Sequence, residues 1–73
     1  MTRLGVFLAK RSINKSDVSR KTGISKARLS QLTLNGTAHL RVEELYMIAL
    51  AIKVDPAEML MDVCQDITLG AEG

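Results

Sequence analysis

Residues 14–36 read NKSDVSRKTGISKARLSQLTLNG, two helix-start signals with a glycine between them. Asn14 offers a side-chain oxygen to the free N–H groups of a first helical turn. Asp17 puts a negative charge where a helix dipole favours one. A helix over residues 15–22 follows, with Val18 facing inward. Gly23 ends it, where a left-handed backbone is easy for a residue without Cβ. Ser25 is the next N-cap, so only residues 23–25 separate this helix from another over residues 26–34. Leu29 and Leu32, three apart, bury one face of the second helix. Lys26, Ala27, Arg28, Ser30 and Gln31 are left on its other faces, and Asn35-Gly36 stops it.

The pattern stays helical on both sides of this pair. Leu4, Phe7, Leu8 and Arg11 share one stripe, which predicts an amphipathic helix over residues 2–12. Residues 35–41 (NGTAHLR) form a polar loop. Residues 42–52 follow as a fourth helix, with Leu45, Ile48, Ala49 and Ile52 inward and Glu43 and Glu44 in its first turn. Lys53 stands where a glycine is usual, so a left-handed lysine there costs roughly 1 kcal/mol. Asp55-Pro56-Ala57-Glu58 then starts a fifth helix with an Asp N-cap, Pro at the first position and Glu at the third, running to about residue 64. No alternating run rich in Val, Ile and Thr signals a strand. The expected fold is all-α, five helices in a compact domain over residues 1–64. Residues 65–73, ending Gly-Ala-Glu-Gly, are expected to be a flexible tail.

At 73 residues the chain holds one small domain. It has no run of 18 apolar residues to cross a membrane, and its short, charge-mixed start is no secretory signal. One cysteine, Cys64, forbids an internal disulfide. It reads as a small apolar filler in a reducing cytoplasm. His39 and Cys64 lie too far apart to suggest structural zinc, and Met47, Met59 and Met61 read as packing residues. An enzyme is not expected, and no cofactor: there is one His, one Cys, no carboxylate pair in the basic half and no glycine-rich phosphate loop.

Charge divides the chain sharply. Residues 1–41 hold nine Lys/Arg against Asp17 alone, while residues 42–73 hold Lys53 against seven acids. Such a split suits either a molecule that turns one face to a polyanion and the other away, or a solvated basic surface with no partner. Two short helices joined by a glycine-containing link make a helix-turn-helix, whose second helix fits the major groove of B-DNA. On that reading Lys26 reaches guanine, Ala27 a thymine methyl, Arg28 a phosphate and Gln31 an adenine. Asn14 and Lys15 aim the start of the preceding helix at a phosphate.

Residues 14–36 resemble the helix-turn-helix of the Cro/C1-type, or XRE, bacterial and phage regulators. The resemblance runs from Leu4 to about Leu60 through Leu4, Phe7, Val18, Gly23-Ile24-Ser25, Leu29, Leu32 and the later pattern E-E-L-x-x-I-A-x-A-I. It implies a five-helix, lambda-repressor-like domain that binds operator DNA as a dimer. By resemblance, Lys26 and Ala27 open the recognition helix, Gln31 reads bases one turn on, and Arg28 meets bases or phosphates. Asn14, Lys15, Ser25, Asn35, Thr37 and His39 are the implied phosphate contacts. The chain departs from the family in carrying Lys15 where Gln is frequent. It also has Thr33 and Leu8 where a Glu and Arg often pair, and one extra residue before Gly36, which lengthens the third helix. Ala27 has no hydrogen bond to give a base, so direct readout is expected to rest mainly on Lys26, Arg28 and Gln31.

Together these readings lead to a sequence-specific double-stranded DNA-binding transcription regulator, a repressor, acting in the bacterial cytoplasm at the nucleoid. Leu60, Met61, Val63, Ile67 and Leu69 exceed what a short terminal helix needs for a core. Some are expected to cover the core, and the others suggest a homodimer through the fifth helix and tail. The alternative is a protein-interaction or antitoxin-like module on the same fold.

Overall fold

The computed structural model describes residues 1–69. Five helices follow in order: α1 (Arg3–Lys10), α2 (Lys15–Thr22), α3 (Lys26–Leu34), α4 (Val42–Ala51) and α5 (Pro56–Val63). No strand occurs among the described residues. The caps do what the sequence implies. Asn14 Oδ1 accepts from the Ser16 and Asp17 N–H groups, Ser25 Oγ from Arg28 N–H, and Asp55 Oδ1 from Ala57 N–H. Gly23 closes α2 with φ +80°.

Two helices stop earlier than their apolar periodicity. α1 ends at Lys10 and α4 at Ala51, because each closes in a turn whose next residue is left-handed: Ser12 at φ +54° and Lys53 at φ +60°. At the first turn Ser12 N–H bonds the Ala9 carbonyl, and Ile13 N–H bonds Leu8. At the second Lys53 N–H bonds Leu50, and Val54 N–H bonds Ala49. This is the Schellman pattern, and Ile13 and Val54 pack on the core beyond it. Arg11, expected on the inner stripe, caps α1 from outside with its guanidinium 3.6 Å above the Phe7 ring.

The core draws on every helix: Leu4, Phe7 and Leu8 from α1, Val18 from α2, Leu29 and Leu32 from α3, Leu45, Ile48 and Ala49 from α4, and Met59 from α5. Ile24, in the link, plugs the α2–α3 corner. Leu8 and Thr33 are both buried, and Thr33 Oγ1 donates to the Leu29 carbonyl, so the site holds no unpaired charge.

α1 meets α3 unusually closely. Thr2 Oγ1 accepts from Gly5 N–H and donates to the Leu32 carbonyl at 2.6 Å, while Thr2 N–H donates to the Thr33 carbonyl at 2.9 Å. One residue thus starts α1 and satisfies two of the terminal carbonyls that α3 cannot satisfy itself. Gly5 makes room, since a Cβ there would run into the Thr33 carbonyl. The extra residue before Gly36 does not carry α3 past Leu34.

Beyond α5 a turn leads outward, and Arg3 holds Asp66 through two bonds of 2.7 Å. The expected flexible tail, residues 65–73, falls outside the described residues from position 70 onward.

Candidate nucleic-acid interface

α2 and α3 pack against each other with the short 23–25 link between them. Asn14, Ser16, Ser19 and Lys26 line one open cleft, which brings the start of α2 beside the start of α3. Lys26 and Ala27 occupy the first turn of α3 and Gln31 the next turn, and all three side chains are exposed. This row is the part of α3 that a major groove receives.

The basic charge on this side is unequally available. Asp17 accepts from both Arg20 and Lys21, and those two cations hold its carboxyl below the usual carboxylate range. Arg3 is taken by Asp66. Among the described residues no acidic group pairs with Lys15 or Lys26. Lys15, half-buried, is the first residue of α2, and Lys26 the first of α3. Two unneutralised cations therefore stand at two adjacent helix N-termini, where the backbone itself already favours an anion.

Arg28 is placed differently from its neighbours. Its Nε donates to Glu44 Oε2 at 2.9 Å and its Nη2 to Glu44 Oε1 at 3.0 Å; Nη2 also donates to the His39 carbonyl at 2.7 Å. Arg28 foremost holds the Glu44 carboxyl below its ordinary range, and the Arg41 N–H adds to this. The guanidinium expected at base edges is thus turned onto α4 and the loop.

The other expected phosphate contacts also carry internal duties. Asn14 and Ser25 spend an oxygen on capping. Asn35 Oδ1 accepts from both the N–H and the hydroxyl of Thr37, which folds the start of the loop. Thr37 and the His39 ring are exposed. Among the described residues nothing accepts from the side-chain NH₂ groups of Asn14 and Asn35.

Two residues escaped the sequence reading. Glu44 was legible as an acid in a first turn and not as the partner of Arg28, sixteen positions away. Thr2 was not singled out, and its only local signal is a hydroxyl three residues before Gly5.

Elsewhere, α4 presents a second apolar stripe, Val42, Tyr46 and Leu50, to solvent. With Leu60 and Ile67 the first two of these line an apolar groove of about 460 Å³ between α4 and α5, and Cys64 sits in its wall. Met59 is fully buried, whereas Met61 is 72% exposed. Among the described residues there is no cluster of metal-ligating groups and no helix long and apolar enough to cross a membrane.

Five helices, a tight α2–α3 corner and an exposed basic first turn on α3 define a helix-turn-helix DNA-binding domain. The model of the Cro/C1-type HTH DNA-binding domain matches residues 3–65, and the chain belongs to that family. Searches of curated proteins and of solved structures returned no match.

Proposed function

We propose that the chain is a sequence-specific regulator of transcription, a repressor, that lays α3 in the major groove of an operator in the bacterial cytoplasm. The observation that carries this is the exposed row Lys26, Ala27 and Gln31 on α3, in which Lys26 has no acidic partner among the described residues. Lys26 donates to guanine, Gln31 pairs with adenine and Ala27 offers a methyl contact to thymine. Lys15, Asn14, Ser25, Asn35, Thr37 and His39 take phosphates and set register.

Two copies read the two halves of a pseudo-palindrome about one helical turn apart. The exposed Leu60, Met61, Ile67 and Leu69 support an interface on α5 and the tail. The α4 stripe extends the same apolar surface. Both helices belong to the acidic half of the sequence, residues 42–73.

The same apolar groove favours a second reading, a protein-interaction or antitoxin-like module. Gln31→Ala and Lys26→Ala, assayed on a duplex enriched from a random pool, separate the two. The regulator reading expects each to weaken binding and relax preference at one base pair. Unchanged affinity and preference in both would leave the interaction module.

A further inference from the structure

We propose that Arg28 is a positioning residue that locks the loop of residues 35–41 to the recognition helix, and not a reader of bases. The inference rests on the DNA-binding reading above.

Arg28 belongs to the first turn of α3, yet every polar contact of its guanidinium runs away from the exposed row. Its fork grips both oxygens of Glu44, and the same Nη2 takes the His39 carbonyl. Glu44 Oε1 also accepts from Arg41 N–H at 2.9 Å. One carboxylate thus joins three pieces of chain: the start of α3, the end of the loop and the first turn of α4. A planar fork on a carboxylate fixes direction as well as distance, which a lysine cannot do.

The rest of the loop has few anchors. Its start is folded by Asn35 onto Thr37, and Ala38 N–H reaches back to the Asn35 carbonyl. Ala38 and Leu40 touch the core edge. Between these, Thr37 and His39 face solvent, and the Arg28 clamp decides where that segment sits relative to α3.

Burial argues against a reading role. The Glu44 side chain is only 12% exposed. Swinging Arg28 into a groove would leave that carboxylate without its partner, which is strongly unfavourable. The pair is also close to neutral, so Arg28 adds little to counterion release from DNA.

The experiment compares Arg28→Gln, Glu44→Gln and the double variant on a duplex enriched by the wild-type protein. Binding is read by fluorescence anisotropy, phosphate contacts by ethylation interference, and loop order by amide hydrogen exchange over residues 37–41. Thermal melts give the folded fraction, and Arg28→Lys serves as a variant that keeps the charge without the fork. Each single glutamine variant should lose roughly tenfold in affinity, and the double variant little more, since both remove one shared interaction. The salt slope of the double variant and the base preferences of every variant stay as in wild type. The outermost phosphate contacts disappear from the footprint while those of α3 persist, and loop amides exchange faster in all variants, Arg28→Lys included. Merely lowered stability would weaken every contact alike.

Wild-type affinity in Glu44→Gln, with a lost base preference in Arg28→Gln, would make Arg28 a reader and overturn the proposal. Unchanged loop exchange in both single variants would also overturn it. If the wild type enriches no duplex, the DNA-binding reading falls and the positioning role falls with it.

Discussion

Thr2 shows how much one small side chain can hold. Its hydroxyl starts α1 and, with its own N–H, finishes α3. Thr2→Val keeps the shape and removes the hydroxyl, leaving the Leu32 carbonyl and Gly5 N–H unserved. We expect a loss of about 1–2 kcal/mol in urea unfolding; an unchanged midpoint would show that water replaces both bonds. Nothing in the sequence ties Thr2 to positions 32 and 33, because that docking depends on how α1 lies across α3. Lys53 was legible. Apolar residues on both sides of a lysine after a helix leave it the left-handed position, and its φ is +60°. Ser12 was hidden by the apolar periodicity that runs on through Arg11. Lys53→Gly should raise the melting temperature slightly, by up to about 0.5 kcal/mol of stability, once the entropy of a more flexible unfolded chain is subtracted from the strain relieved. A lower melting temperature would mean that the lysine stem contributes packing larger than the strain.

At the scale of the helix pair, the boundaries of α2 and α3 were readable since their caps act within three residues. The exposed row on α3 was readable for the same reason, as Leu29 and Leu32 fix which face is buried. The Arg28–Glu44 pair was not, because a polar loop without periodicity separates the two. Lys26→Ala should cost about 1–3 kcal/mol in DNA binding and flatten preference at one base pair. Retained affinity with unchanged circular dichroism would remove α3 from the groove. Lys15→Ala should instead weaken all sequences alike and lower the salt slope by about one. A loss confined to some sequences would make Lys15 a reader.

Over the whole molecule, charge sets how stability varies with pH. Asp17, Glu44 and Asp66 all have carboxyls held low by neighbouring cations. A carboxylate whose folded pKa is depressed adds stability above its unfolded pKa and loses it as pH falls through the folded one. Unfolding midpoints should therefore stay level from pH 7 to about 5 and drop below that. Glu44 should weigh most, since the two exposed aspartate pairs are screened by solvent. A midpoint that rises on acidification would contradict this. The uncovered apolar surface on α4 and α5 predicts self-association, so Leu60→Glu should shift sedimentation toward monomer and weaken operator binding; identical sedimentation would move the interface elsewhere. Whether the α2–α3 face reads duplex DNA is tested by selection from a random duplex library, followed by affinity for the winner against salt. Reading by that face yields an enriched pseudo-palindrome whose affinity falls steeply as salt rises. No enrichment, with only weak salt-sensitive binding to any duplex, would contradict it.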